Sequence, residues 1–184
     1  MAPLLHELLA SASVAGRVCV GLVFVLAAAQ EAQHWRIFSG VLANYRLLPQ
    51  ALVTPFAIIL PPTEMLVGIL LLSAQLRPFG AVAAIALLGL FALAMAINLR
   101  RGRIQIDCGC GHSFLKQNLR WLLVWRNAGL AALLAPSLFF TAPMVLSTAL
   151  SGVAAGLAVF VLYLLFNVLS ALPPVQAWPT KRFA

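Results

Sequence analysis

Five long apolar stretches, separated by short polar or basic segments, account for most of the chain. Each stretch approaches the ~20 residues that a helix needs to cross the hydrocarbon layer of a bilayer. The pattern therefore predicts an all-α polytopic membrane protein, with a four-helix transmembrane bundle and a fifth helix after it. The predicted spans are residues 8–29, 52–74, 79–98, 121–140 and 144–169.

The amino-acid composition agrees with this class. Of the 184 residues, 63% are hydrophobic and only 9% are charged, whereas a soluble domain is about half apolar and a quarter charged. The formal net charge of +8 does not indicate nucleic-acid binding, because the basic residues lie in connections between apolar stretches instead of forming one surface patch. We expect one transmembrane helical domain over residues 1–172 and a C-terminal tail over 173–184.

Two connections are long enough to have a structure of their own. Residues 30–51 are amphipathic, with Trp35 and Tyr45 at interfacial positions, and predict a short helix in the membrane surface. Residues 99–120 are polar, basic and rich in glycine. Because two spans separate these connections, both should emerge on the same face of the membrane. The first connection is thus the expected neighbour or lid of the second.

The second connection contains Cys108-Gly109-Cys110, the strongest candidate for chemistry. Cα atoms two residues apart are separated by ~5.5–7 Å, which is within or at the edge of the range for a disulfide. Gly109 allows the tight turn that such closure requires. A disulfide in so small a ring is strained and easily reduced, and it closes too short a segment to stabilise the fold. The pair therefore predicts a redox function, with Cys108 and Cys110 as the catalytic residues.

Two alternatives remain for this loop. Cys108, Cys110 and His112 alternate beside Asp107, so the loop offers three or four ligands to a soft metal ion. A closed metal site, however, usually draws its ligands from two separated segments. The second alternative is a pair of reduced cysteines in a glycine-rich turn with no chemical role.

Ionisable side chains inside the predicted spans form a second group of candidates, because a buried charge in a bilayer must pair or face a wet cavity. Arg17 and Glu64 each lie roughly 18 Å below the face that carries the cysteine loop, so they are expected to pair. The pair is either a proton or thiolate-stabilising site or a clamp between the first two spans. Cys19 lies beside Arg17 as a third thiol. Pro61-Pro62 predicts a break just before Glu64.

Several short pieces between residues 14 and 135 form an ordered set. They are Arg17, Asn44-Tyr45-Arg46-Leu47-Leu48-Pro49, Pro62-Thr63-Glu64, Arg101-Gly102, Asp107-Cys108-Gly109-Cys110-Gly111 and Arg126-Asn127. Taken in order, these pieces resemble the methylamine-utilisation protein MauE family, related in architecture to DoxX-like and vitamin K epoxide reductase-like membrane bundles. The family usually has an aromatic residue between the last cysteine and the glycine of the loop, whereas Gly111-His112 follows Cys110 here.

The resemblance implies a role in maturing a periplasmic amine dehydrogenase, whose small subunit carries many disulfides and a tryptophan-derived quinone. Family members act beside a thioredoxin-like partner, with which Cys108 and Cys110 would exchange a disulfide. A membrane quinone is a candidate electron acceptor. Arg103 or His112 would stabilise the attacking thiolate. The alternative from another class is a non-catalytic membrane assembly factor. The expected supporting residues are Arg17, Cys19, Tyr45, Glu64, His112 and Arg126.

The basic residues and the implied function give opposite orientations. The positive-inside rule places the face with more basic residues, which carries the cysteine loop, in the cytoplasm, where thiols are kept reduced. A thiol relay for a periplasmic client must instead reach the periplasm. We therefore expect the loop on the periplasmic side of the bacterial inner membrane, against the count. The opposite face has only Arg77, and the loop face has Arg36, Arg46, Arg100, Arg101, Arg103, Lys116, Arg120, Lys181 and Arg182.

Overall fold

The structure, a computed structural model, describes residues 2–108, 117–139 and 145–171. Within these ranges the chain is almost entirely helical. The helices are α1 (Ala2–Gln33), α2 (Trp35–Tyr45), α3 (Gln50–Leu72), α4 (Arg77–Arg100), α5 (Trp121–Leu133), α6 (Ala135–Phe139) and α7 (Leu146–Ala171).

In the part of the chain that the structure describes, five helical segments are long and apolar enough to cross a membrane, with α5 and α6 together forming the fourth. This confirms the predicted all-α polytopic membrane fold. The helices extend past several predicted span boundaries, as where α1 continues to Gln33. The prediction counted apolar residues only, whereas helical hydrogen bonding continues through polar residues. The predicted tail at 173–184 lies outside the described residues, and the single domain over 1–172 stays a prediction.

The predicted surface helix is α2. Its residue Phe38 is buried against Ala57 and Leu60 of α3, whereas Trp35 and Ile37 are exposed. Arg46 ends the helix in the left-handed conformation, with φ 49°, and its backbone N–H donates to the carbonyl of Ala43. The amphipathic pattern of the connection therefore corresponds to a helix with one side packed on α3 and the other side exposed, as suits a helix at the lipid interface.

Helix α3 is continuous through three prolines, so the break expected at Pro61-Pro62 is wrong. Within membranes, prolines are tolerated where side-chain hydroxyls and neighbouring helices satisfy the freed backbone groups. Beside the prolines, the Thr63 hydroxyl donates to the carbonyl of Ile59 at 2.8 Å, one turn earlier in the same helix. Glu64 thus lies within an intact helix instead of at its end.

The fourth span is interrupted between α5 and α6 by Pro136, which lacks the N–H that would continue the α-helical bonding. The N–H of Ser137 bonds to the carbonyl of Leu134, one residue closer than in an α-helix. At this break Gly16 of α1 approaches the Leu133 carbonyl so closely that a Cβ on Gly16 would lie 2.1 Å from its oxygen. The interruption therefore provides a contact surface for α1.

Helix α1 occupies the centre of the molecule and packs against both α3 and α7 through glycines. A Cβ on Gly68 of α3 would lie 2.9 Å from the Gly21 carbonyl oxygen. A Cβ on Gly156 of α7 would lie 2.8 Å from the carbonyl oxygen of Ala15. Small residues of this kind let membrane helices approach until their backbones are in van der Waals contact.

We expect Gly16→Ala to destabilise the protein by about 1–3 kcal/mol, because the added methyl overlaps a backbone oxygen that cannot move independently. Gly89→Ala is the matched control, since a Cβ on Gly89 in α4 would meet nothing within 4 Å. The measurement is the unfolding of each purified protein in the same detergent. Equal stability of the two variants would contradict the close contact of α1 with the break in the fourth span.

Candidate functional site

The loop that follows α4 is held at its base by antiparallel backbone pairing. The N–H of Cys108 donates to the carbonyl of Gln117 at 3.0 Å, and the N–H of Leu119 donates to the carbonyl of Ile106 at 3.1 Å. The predicted catalytic residue Cys108 therefore lies in an ordered hairpin base and not in an unconstrained turn. Residues 109–116, the tip of this loop, lie outside the described residues.

Cys108 is buried, with 5% of its surface exposed. It packs in a small cluster with Met95, Leu119 and Leu123. The Tyr45 hydroxyl, from the end of α2, donates a hydrogen bond to the carbonyl oxygen of Cys108 at 3.1 Å. This bond confirms that the surface helix and the cysteine loop share one face, and it assigns Tyr45 a specific contact at the candidate site.

The Cys108 side chain is also connected to α7. Its Sγ lies 3.5 Å from Oε1 of Gln117 and donates to it. Gln117 is 3% exposed, and its side-chain amide nitrogen donates to the hydroxyl of Ser170. Gln117 thus contacts Cys108 twice, with its side chain at the thiol and with its backbone carbonyl at the Cys108 N–H.

Below Cys108 lies a cavity of about 220 Å³ in the middle of the helical bundle. Its wall is mostly apolar, and two of its side chains, Phe56 and Leu90, are 40% and 48% exposed on the outer surface of the bundle. At these two side chains the cavity wall is also the outer surface of the bundle. Its polar and ionisable lining consists of Glu31, Tyr45, Glu64, Cys108, Arg126, Asn127 and Tyr163.

Arg126, predicted as a supporting residue, is one of these lining groups and is oriented by α7. Its Nη1 donates to Oδ1 of Asn167 at 2.5 Å, and its guanidinium lies 5.6 Å from the centre of the Tyr163 ring. A cation over an aromatic face is stabilised electrostatically. The cavity therefore contains a positive charge that two residues of α7 position.

Glu64 faces the same cavity, but its predicted pairing with Arg17 is wrong. Gly68 of α3 packs against Gly21 and Val25 of α1. In this antiparallel register Glu64 is level with the residues after Val25, whereas Arg17 lies beyond Gly21 in the other direction, so the two side chains differ in depth by ~15 Å at 1.5 Å per residue. The prediction assumed that both helices end at the same level, whereas α3 extends past the end of α1.

Arg17 and Cys19 lie in the half of the bundle remote from the cysteine loop. Cys19 is fully buried and packs in the main core with Val20 and Leu71, whereas Cys108 belongs to a different cluster. Arg17 donates from Nε to the Ser13 carbonyl oxygen at 3.4 Å, within its own helix. The structure therefore does not bring Cys19 or Arg17 to Cys108.

The other two loop candidates, Cys110 and His112, lie outside the described residues. Among residues 2–108, 117–139 and 145–171, no group of three or more His, Cys, Asp and Glu side chains could hold a metal ion. Because the soft-metal alternative requires Cys110 and His112, it stays a prediction. The same applies to the closure of a disulfide between Cys108 and Cys110.

Sequence reasoning missed the contributions of Gln117, Tyr163 and Ser170. Gln117 is one polar residue in a polar loop, so its pattern gives no indication of burial. Asn167 and Ser170 are different, because they are polar residues one turn apart near the end of an apolar helix. Such a pair predicts contact with polar groups of another helix or loop, and this was the available indication of the α7 contacts.

We expect Tyr45→Phe to raise the alkylation rate of reduced Cys108 about fivefold, because loss of one hydrogen bond worth about 1 kcal/mol makes local opening of the hairpin base easier. The rate is measured on purified protein at one fixed pH. Ser39→Ala, which removes a local bond to the Arg36 carbonyl in the same helix, should leave the rate unchanged. A Tyr45→Phe rate equal to that of the control would show that this bond does not hold the loop.

Comparison with known proteins agrees with these features. The model of the family described as methylamine utilisation protein MauE matches residues 9–140. The methylamine utilization protein MauE of Paracoccus denitrificans is 41% identical over 163 residues, 87% of this chain and 88% of that protein. The protein of the same name from Paracoccus versutus is 38% identical over 174 residues, 93% of this chain and 90% of that protein. No solved structure matches. The chain therefore belongs to the MauE family of methylamine utilisation proteins.

Proposed function

We propose that this protein assists methylamine utilisation as a membrane thiol–disulfide redox component. Cys108 and Cys110 exchange a disulfide with a thioredoxin-like partner during maturation of a periplasmic amine dehydrogenase. The observation that carries the proposal is the position of Cys108, which is fixed in a hairpin base and also lines the intramembrane cavity. A thiol in this position can contact a soluble partner through its loop and a lipid-soluble acceptor through the cavity. The description of the matching family and relatives as methylamine utilisation proteins supports a role in that process.

The exchange with the partner is balanced as follows. A thiolate of the partner attacks the Cys108–Cys110 disulfide, so one new S–S bond forms and the loop bond breaks. The second thiol of the partner then resolves the mixed disulfide. The partner leaves as a disulfide, and the loop keeps two thiols, having gained two electrons and two protons.

The two electrons must then leave the loop, and the cavity supports a lipid-soluble acceptor of the quinone class. Oxidation of Cys108 and Cys110 to the disulfide releases two electrons and two protons, which convert a quinone into a quinol. The mostly apolar wall suits an isoprenoid tail, and the partly exposed Phe56 and Leu90 give access from the bilayer. Arg126 and Asn127 offer N–H groups to carbonyl oxygens of such a ring.

The proposed client sets the orientation of the protein. Disulfides form and persist in the periplasm, so the cysteine loop faces this compartment of the inner membrane. The basic residues around it, such as Arg100, Arg101 and Arg120, oppose this orientation under the positive-inside rule. The proposal therefore includes a topology that charge counting alone would reverse.

We expect Cys108→Ser and Cys110→Ser each to lower amine dehydrogenase maturation to the level of cells lacking the protein, because either change removes the exchangeable disulfide. One of the two variants should also trap a mixed disulfide with the partner. Cys19→Ala is the control and should mature the enzyme normally, since Cys19 lies in the core away from the loop. Full maturation in both loop variants would exclude the redox role and favour a non-catalytic assembly factor.

We expect a membrane-impermeant maleimide to modify Cys108 or Cys110, after reduction of their disulfide, in spheroplasts whose inner membrane is intact. The expectation follows from the proposed periplasmic loop, and it is measured on a Cys19→Ala background by mass spectrometry of the loop peptide. Modification only after the inner membrane is opened would place the loop in the cytoplasm. Elemental analysis of unlabelled protein purified without added chelator tests the metal alternative, because a soft metal that is present in the wild type and lost in the Cys108→Ser variant would indicate a metal carrier.

A further inference from the structure

The hydrogen bonds at Ser170 determine which end of the Gln117 side-chain amide faces Cys108. Ser170 is in the last turn of α7, and its hydroxyl donates to the backbone carbonyl of Asn167 at 3.0 Å. A hydroxyl has a single hydrogen, so towards Gln117 it can act only as an acceptor. The NH₂ group of Gln117 must therefore face Ser170, which leaves Oε1 facing the Cys108 sulfur at 3.5 Å.

We infer that α7, through Ser170, holds Gln117 in the orientation that keeps Cys108 a protonated thiol in the reduced protein. Ser170 and Gln117 are thus positioning residues that regulate the reactivity of the thiol, and their importance for electron transfer rests on the proposed redox function. Helix α7 thus controls the base of a loop that, among the described residues, it contacts through the Gln117 side chain.

The physical reason is the polarity of the two ends of the amide. A carbonyl oxygen accepts a hydrogen bond from S–H, but its partial negative charge opposes the thiolate, whereas an NH₂ group would donate to the thiolate and favour it. Cys108 and Gln117 are both buried, so water does not replace or screen this contact. The orientation of the amide therefore has a strong electrostatic effect on the ionisation of the thiol. Because the thiolate and not the thiol is the nucleophilic form of cysteine, the orientation affects how fast reduced Cys108 is alkylated or reoxidised.

The charged and titratable groups near the thiol do not depend on Ser170. They come from the loop, from α2 and from four of the other helices that line the cavity, α1, α3, α5 and α7, and a substitution at Ser170 leaves all of them in place. A change in the pH dependence of the thiol therefore reports on the Gln117 amide. Among the described residues these groups are Glu31, Tyr45, Glu64, Arg103, Asp107, Arg126 and Tyr163.

The experiment measures the rate of Cys108 alkylation against pH in the reduced, full-length protein carrying Cys110→Ser. In Ser170→Ala the amide can turn and present NH₂ to the sulfur. We expect alkylation about tenfold faster at neutral pH and a midpoint about one pH unit lower. Gln117→Glu should shift the midpoint the other way, because a carboxylate opposes the thiolate more strongly than an amide oxygen.

Two controls separate this effect from a general loosening of α7. Ser170→Thr keeps the hydroxyl and should retain the native profile. Ser151→Ala removes a bond of the same kind, from Ser151 to the Thr148 carbonyl at 3.1 Å on the exposed side of α7, and should also have no effect.

The inference is overturned if Ser170→Ala and Gln117→Glu both keep the native midpoint. It is equally overturned if Ser170→Ala accelerates alkylation at every pH without moving the midpoint, which would indicate only easier access to the thiol. If the midpoint moves as expected but cells with Cys108→Ser mature the dehydrogenase normally, the control of the thiol by α7 is supported and the redox function fails. The two proposals therefore have separate tests.

Discussion

The backbone pairing between Cys108 and Gln117 is the interaction on which the candidate site depends. It closes the connection between α4 and α5 at its base, which fixes one cysteine at the boundary between the membrane surface and the bundle interior. The same pairing places the Gln117 side chain beside the thiol, within reach of α7. Without it, Cys108 would be part of an unpaired polar loop, and its thiol would have no fixed position at the end of the cavity.

The sequence predicts the number of spans, the surface helix and the shared face of the two long connections. These features follow from the length and polarity of segments, which the bilayer constrains strictly because every backbone group within it must bond internally. The Tyr45–Cys108 bond agrees with this reasoning, since counting spans was enough to place the two connections that carry these residues on the same face.

Depth within the membrane was not predictable in the same way. The levels of Arg17 and Glu64 depend on how far α1 and α3 slide past one another, and this is set by the contact of Gly21 with Gly68. Span boundaries do not contain that information. The hydrogen bond between Gln117 and Ser170 could not be predicted for a related reason. It joins two segments that are distant in sequence, and their approach depends on how α7 packs against α1. Residue patterns indicate burial and periodicity, but not the register between helices.

The family-matched segment ends at residue 140, whereas α7 begins at Leu146 and contributes Tyr163, Asn167 and Ser170 to the site. Polypeptides are synthesised from the N terminus. The loop with its cysteine therefore exists on the growing chain before the helix that orients Gln117 is inserted. During this interval the newly made protein carries a thiol whose neighbouring amide is still free to turn, so biogenesis passes through a stage more exposed to unintended oxidation than the finished molecule.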